Sequence, residues 1–288
     1  MAIDKVAVVG LGQMGRGILQ VCAQSGKQTY GFDSVPGAGE KAVAFATKNI
    51  DGRVKKGKMT EEEKAGILGN ITLVDKMEDL NDVDLVIEAV FEDLKIKQDV
   101  FKQLDEVVKP GCILASNTSA LQATPMASVL PESRQGSFII IHFHQPPTHM
   151  KLVEVVRALQ TTDETGATAV QFCKEIGKEA CDIKVDCPGF LTNRTMAPLL
   201  NEVAYCLYEG VASKEDIDKA FINGFNWPVG PVQLMDFIGL DTVQHVLEDL
   251  HIRRGGDKYC MCPLIGNMVA AGRLGTKVGL GFYDYRKR

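Results

Sequence analysis

His142 and Glu154 stand twelve residues apart across the Pro146-Pro147 turn, and a histidine oriented by a carboxylate can move a proton near neutral pH. His142 closes the apolar run Phe138 to His142. Its imidazole therefore sits at the carboxyl end of a strand, where open α/β sheets bind their ligands. Glu154 lies in the alternating run Leu152 to Val156. If the two segments pair, its carboxylate reaches the far ring nitrogen, orients the imidazole and stabilises the cationic form.

A second stretch supplies a partner for that proton chemistry. Gly10-Leu11-Gly12-Gln13-Met14-Gly15 follows the strand-like Val6-Ala7-Val8-Val9 and opens a helix from about Gln13. In that context Gly10, Gly12 and Gly15 permit a tight turn and bring backbone N–H groups of the Gln13-Met14 turn to a pyrophosphate. Asp33 ends the next strand, near the offset at which a carboxylate accepts from a ribose 2′-hydroxyl. It would repel a 2′-phosphate, and no arginine follows it, so the expected cofactor is NAD rather than NADP. A base facing NAD would take a hydroxyl proton while hydride leaves for the nicotinamide.

The elements that must hold these groups alternate. Val6 to Gly10, Gln28 to Asp33, Ile71 to Val74, Leu85 to Ala89, Ile113 to Ser116 and Phe138 to His142 read as strands. Their near-continuous apolar character suits a sheet covered on both faces. Helices fall between them; Thr60-x-x-Glu63 is a capping-box pattern, and Thr124-Pro125 puts proline in a first turn. The expectation is a Rossmann-type doubly wound α/β domain over residues 1–185. Asp186-Cys187-Pro188-Gly189 breaks the pattern, and residues 186–288 read as an all-helical second domain. Pro198 should kink its first long helix, and Ser213-x-x-Asp216 starts another. Gly239 with Asp241-x-x-Gln244 reads as a stop and a fresh capping box.

Composition bounds the partners. Thirty-two Lys+Arg against 37 Asp+Glu leave a net charge of −5, which argues against nucleic acid or anionic lipid as a ligand. The apolar runs are too short to span a bilayer, and the amino-terminal residues show no signal-peptide pattern. Eight cysteines without paired spacing fit reduced thiols in a cytoplasmic protein.

Three further stretches carry a resemblance. They are Ser116-Asn117-Thr118-Ser119; His142-Phe143-His144-Gln145-Pro146-Pro147 leading into Met150 to Val155; and Pro188-Gly189-Phe190-x-x-Asn193-Arg194 with Asn201-Glu202, Gly230-Pro231 and Gly239 to Thr242. With the glycine loop and the late Gly281 to Tyr285, the chain resembles the short-chain 3-hydroxyacyl-CoA dehydrogenases along essentially its full length. The resemblance implies NAD-dependent oxidation of an (S)-3-hydroxyacyl-CoA thioester by a His142–Glu154 dyad. It implies that Ser119 and Asn193 hydrogen-bond the reacting oxygen, with the active site in the cleft between the domains. It assigns Glu92 and Lys97 to the nicotinamide half of NAD and Lys277 to a further cofactor contact. Lys56, in the basic cluster Arg53, Lys55, Lys56 and Lys58, falls at a position that meets CoA phosphates. A homodimer through the helical domain is implied as well.

The family's usual His-Phe-Phe-Asn-Pro reads here with His144 and Gln145, which places both in the substrate-binding set and leaves the preferred acyl group open. Ala120 replaces a second serine and Ala158 a glycine. On an extended strand His144 would share a face with His142 at about 7 Å, with His149 a short loop further on. No metal is expected, since an ion there would occupy the base. Two rival expectations stand: a family member oxidising a free hydroxy acid, as gulonate- or carnitine-type relatives do, and a weakly active NAD-binding structural protein.

Overall fold

The computed structural model describes residues 2–286 and divides after Cys187 into two units. The first comprises β1 (Lys5–Val9), α1 (Gln13–Gln24), β2 (Gln28–Phe32), α2 (Ala38–Val54), α3 (Glu61–Gly69), β3 (Ile71–Leu73), β4 (Leu85–Glu88) and α4 (Leu94–Val107). It continues with β5 (Ile113–Ser116), the short α5 (Ala123–Ala127) and α6 (Glu132–Gln135), β6 (Phe138–Phe143), β7 (Leu152–Arg157), α7 (Asp163–Glu175) and β8 (Glu179–Ile183). Among the described residues the strands form one eight-stranded sheet, ordered β3-β2-β1-β4-β5-β6-β7-β8. All neighbours are parallel except β6 and β7, which run antiparallel.

This is the doubly wound sheet that the apolar runs predict. β4, β5 and β6 are buried throughout, because helices cover both faces. Val8, Ile18, Ile87, Ile139 and Ile141 stand in its core. β8 went unread in the sequence: its residues are exposed or half-buried, so no apolar run announces it. With β1 between β2 and β4, the chain switches sides there and leaves a crevice beyond the strand carboxyl ends. α2 and α3 form a two-helix arm. Thr60 caps α3 with the full capping box, and Lys64 of α3 pairs with Asp51 of α2 at 2.6 Å.

The second unit holds α8 (Thr192–Tyr208), α9 (Lys214–Phe225), α10 (Pro231–Ile238), α11 (Leu240–Arg254) and α12 (Pro263–Ala270). α8 continues through Pro198, and Ser213 caps α9 by accepting from the Asp216 N–H at 3.1 Å. The box expected at Asp241 and Gln244 does not form. Gly239, at φ +96°, turns the chain in a single residue, so α11 begins at Leu240 and Asp241 already lies in its first turn. Asp241 pairs instead with Lys277 at 2.5 Å, and Gln244 bonds Glu248.

Two buried carboxylates close this unit. Asp218 accepts from the Val232 N–H at 2.7 Å and the Tyr283 hydroxyl at 2.9 Å; Asp236 accepts the amides of Phe282 and Tyr283, both at 2.9 Å. A Cβ on Gly230 would fall 2.3 Å from Asp218 Oδ1, and one on Gly281 1.9 Å from Asp236 Oδ1. Those glycines are therefore packing requirements of the carboxylates. Among the described residues no helix is long and apolar enough to cross a membrane.

Cysteine exposure gives a first prediction. Burial pushes the thiols of Cys22, Cys112 and Cys173 up to about 12, whereas Cys260 is exposed. At pH 8 a thiol of that kind is ionised in roughly one molecule in ten thousand, and it is sterically shielded besides. Brief alkylation of the native protein followed by peptide mass mapping should label Cys260 and spare those three until denaturant is added.

Candidate active site

The glycine loop joins β1 to α1, and each glycine has its own reason. Gly10 adopts φ +91° where a Cβ would strike Ala89, and a Cβ on Gly15 would lie 1.7 Å from the Gly10 carbonyl oxygen. Gly12 meets nothing within 4 Å, so its backbone faces open space at the amino end of α1. That space is a cleft of about 890 Å³ walled by Gly10, Gly12, Asp33, Val35, Phe91 and Ile96. Val35, Phe91 and Ile96 expose apolar surface there. Asp33 braces the loop: Oδ2 accepts from the Leu11 N–H at 2.6 Å and Oδ1 from the Val35 N–H at 2.8 Å. Each oxygen retains acceptor capacity for a ribose hydroxyl. A bare backbone at a helix amino terminus, an apolar wall and a carboxylate rim fit a dinucleotide without a 2′-phosphate. Gln13 is exposed at the loop, while Met14 packs onto the core.

Three strands along, β6 and β7 pair antiparallel with His142 directly opposite Glu154. Facing residues of such a pair project from the same side. Accordingly His142 Nδ1 lies 3.0 Å from Glu154 Oε2, with the imidazole nearly buried and the carboxylate fully so. The Nδ1 nitrogen on the carboxylate fixes Nε2 as the outward nitrogen, the arrangement in which an imidazole works as a base. The Phe143 N–H donates to Asn117 Oδ1 at 2.9 Å, tying the end of β6 to the residue after β5. Pro147 seats against Gly17 of α1, and Lys178 donates to the carbonyls of Pro147 and Met150 at 2.5 and 2.8 Å. Burial holds the Lys178 ammonium below the usual lysine range.

His144 lies on the same side as His142, as expected. β6 ends at Phe143, so His144 leaves the regular strand and its ring centroid stands 4.9 Å from that of His142. Its Nε2 is 3.5 Å from the same Glu154 Oε2. His149 turns away and pairs with the Thr148 hydroxyl at 2.9 Å. Gln145 is exposed.

A buried network lies between these two groups, at the ends of β4 and β5. Glu88, wholly buried, takes the Lys97 ammonium, the Ser116 hydroxyl and the Val90 N–H, each at 2.7 Å. Burial pushes the Glu88 carboxyl up, and Lys97 and Ser116 offset only part of that. Glu92 lies 3.2 Å from the same ammonium and accepts from the Thr118 hydroxyl and the Ser119 N–H, the latter at 3.1 Å. Burial raises the Glu92 carboxyl, but Lys97 and Thr118 together hold it below the usual range. Lys97 is thus locked between two carboxylates, and Glu92 orders the loop that carries the exposed Ser119.

The structure gathers His142, His144 and Glu154 in one cluster, and the glycine loop with Asp33 in another. Lys56 stands apart, exposed in the turn between α2 and α3. Asn193, half-buried at the start of α8, and Lys277, paired with Asp241, belong to the second unit. Glu88 and Lys178 were not singled out from sequence, and Asn117 was named there only as part of a motif, without a role. For Glu88 and Asn117 the signal was a charged or amide side chain at the end of an apolar run, as in Val86-Ile87-Glu88, where burial demands a partner; Lys178 follows no such run.

The NAD binding domain of 3-hydroxyacyl-CoA dehydrogenase, as a family pattern, matches residues 5–187, and the C-terminal domain pattern matches residues 189–285. A probable 3-hydroxybutyryl-CoA dehydrogenase of Bacillus subtilis is 42% identical over 288 residues, covering 100% of this chain and 99% of that protein. A 3-hydroxybutyryl-CoA dehydrogenase of Clostridioides difficile is 43% identical over 283 residues, covering 98% and 100%. The crystal structure of (S)-3-hydroxybutyryl-CoA dehydrogenase from Ralstonia eutropha superposes with a TM-score of 0.93 at 41% identity, covering 99% of each chain.

Proposed function

The chain belongs to the 3-hydroxyacyl-CoA dehydrogenase family, and on that premise we propose that it interconverts an (S)-3-hydroxyacyl-CoA and its 3-oxoacyl-CoA with NAD. The observation that carries this reading is the His142–Glu154 pair at 3.0 Å, with His142 near the carboxyl end of β6 as the open glycine loop is at that of β1. NAD, when bound, supplies the hydride acceptor. His142 takes the substrate hydroxyl proton on Nε2, and Glu154 holds the ring through Nδ1 and stabilises the imidazolium. Ser119 and Asn193 hydrogen-bond the reacting oxygen. Glu92 keeps the Ser119 loop in place, and Lys97 serves the nicotinamide end by fixing Glu88 and Glu92. Gly10, Gly12, Gly15 and the Gln13-Met14 turn hold the pyrophosphate, Asp33 the ribose, and Lys277 makes a further cofactor contact. His144 and Gln145 bound the acyl group, and Lys56 meets a CoA phosphate.

NADH oxidation followed by absorbance, with acetoacetyl-CoA and free acetoacetate at matched concentrations, tests this. Turnover of the thioester alone is the expected result. Preference for the free acid would replace the CoA ester by a hydroxy acid. NADH binding without turnover of either would favour a structural protein. The reading includes a homodimer, supported by the exposed Phe225, Phe237 and Ile238 of the helical unit, and a cytoplasmic setting, supported by the buried reduced thiols. Sedimentation showing only a 31.4 kDa species would remove the dimer.

A further inference from the structure

The convergence of two imidazoles on one carboxylate does more than orient a base. His142 Nδ1 and His144 Nε2 lie 3.0 and 3.5 Å from Glu154 Oε2, and one donor atom from each residue falls within 4.8 Å of the others. Tetrahedral zinc bonds of about 2.0–2.1 Å set ligand atoms about 3.3 Å apart, so this spacing closes around an ion with sub-ångström to ångström shifts. His144 Nε2 is sealed from solvent and makes no hydrogen bond among the described residues. A buried ring nitrogen in that state is a poor structural choice unless something else approaches it. Two nitrogens and one carboxylate oxygen suit zinc and its transition-metal neighbours; magnesium and calcium prefer all-oxygen shells. Three protein ligands would leave a fourth position open.

We propose that His142, His144 and Glu154 take up a divalent transition-metal ion, zinc above all, and that the bound ion silences the enzyme. As the metal–nitrogen bond forms at Nδ1 of His142, that nitrogen gives its proton to solvent and Nε2 takes one up, so the ring stays a neutral imidazole whose only free lone pair is now on the ion. The ion then holds both the ring nitrogen and the carboxylate that would have supported the imidazolium, so the base can no longer accept a proton usefully. No metal is expected here from the sequence, where only His149 stands as a candidate third donor. The strand pairing supplies Glu154 instead. The inhibitory half rests on the reading of His142 as the base; the binding half stands on the donor geometry alone.

The test uses the full-length, metal-free protein. Cobalt(II) is titrated in as a spectroscopic probe, zinc is added to displace it, and zinc inhibition of acetoacetyl-CoA reduction is measured beside magnesium. The visible bands of nitrogen- and oxygen-bound cobalt should appear without the intense near-ultraviolet band of thiolate ligation. Zinc should inhibit over the same concentration range in which it displaces cobalt, a chelator should restore the rate, and magnesium should do nothing. His144→Phe should weaken zinc binding by at least about 10–100-fold, the loss that even outer-sphere partners of a metal produce. Its inhibition should weaken in step, judged against its own metal-free rate. His144→Gln serves if the phenylalanine variant fails to fold, and a thermal melt decides that.

Unchanged cobalt spectra and zinc inhibition in the folded His144 variants would overturn the proposal, as would thiolate-only binding. Binding at the three donors that leaves turnover intact would overturn the inhibition and, with it, the assignment of His142 as base. If the thioester is not turned over at all, the proposed function fails while the cobalt titration still decides on the site.

Discussion

His142→Ala lowers turnover of the thioester by about two to four orders of magnitude, the share that a positioned general base contributes, and leaves NADH affinity nearly unchanged. The two effects separate because the imidazole sits on β6 and bonds Glu154, whereas the cleft at the glycine loop is walled by the ends of β1 and β2, the segment after β4 and one side of α4. Steady-state rates with acetoacetyl-CoA and a fluorescence titration with NADH read the two quantities independently. Equal loss of both would make His142 a structural histidine. A thermal melt belongs beside them, since the variant removes a partner of a fully buried carboxylate. Glu154→Gln is the companion: its amide still accepts from the ring but cannot stabilise the imidazolium, so turnover should fall while the fold is kept.

Lys97→Met should cost about 3–5 kcal/mol of stability, because it strips the only described cation from a carboxylate that is wholly buried. For a unit of this size that is a drop of roughly 6–20 °C in melting temperature. The sign of its pH dependence follows from Glu88, whose carboxyl burial already holds above the usual range. A carboxyl raised in the folded state costs stability once pH passes its unfolded value, and the cost is complete above its folded value. Losing Lys97 raises it further. The deficit should therefore be widest at neutral and alkaline pH and shrink as pH falls into the carboxylate range, which urea melts across pH would show. Adding Glu88→Leu should recover part of the loss, since the stranded charge goes with it. A deficit confined to NADH affinity, with the melt unmoved, would instead make Lys97 a direct cofactor contact.

Much of this was legible in the residues. The His142–Glu154 spacing across two prolines allowed one antiparallel pairing, and the register realises it. The glycine loop was legible because a tight strand-to-helix turn tolerates few alternatives, as the clash at Gly15 shows. Other features were hidden for physical reasons. The letters mark Glu88 as the end of an apolar run and Lys97 through the resemblance, but only the three-dimensional packing reveals that the two are sealed together. His144 was expected on the face of His142 and is found there; that both rings meet Glu154 was hidden, because it depends on the pairing of β6 with β7. At Gly239 a sharp turn displaced a cap that local chemistry would have allowed.

The grip of Asp218 and Asp236 on Phe282 and Tyr283 has a bearing on how the chain is made. The amide and hydroxyl partners of these two carboxylates from the carboxyl-terminal strap lie 46 to 65 residues downstream. At about 5–20 residues per second, a ribosome delivers them roughly 2 to 13 seconds after the carboxylates emerge. During that interval α9 and α10 exist with two acids that cannot yet be buried, so the helical unit must wait, open, for its own strap. The sheet unit is under no such delay from these contacts. Nascent chains of this protein should thus pass through a state with one half finished and the other half still exposing the apolar faces of its helices, the kind of surface that chaperones hold.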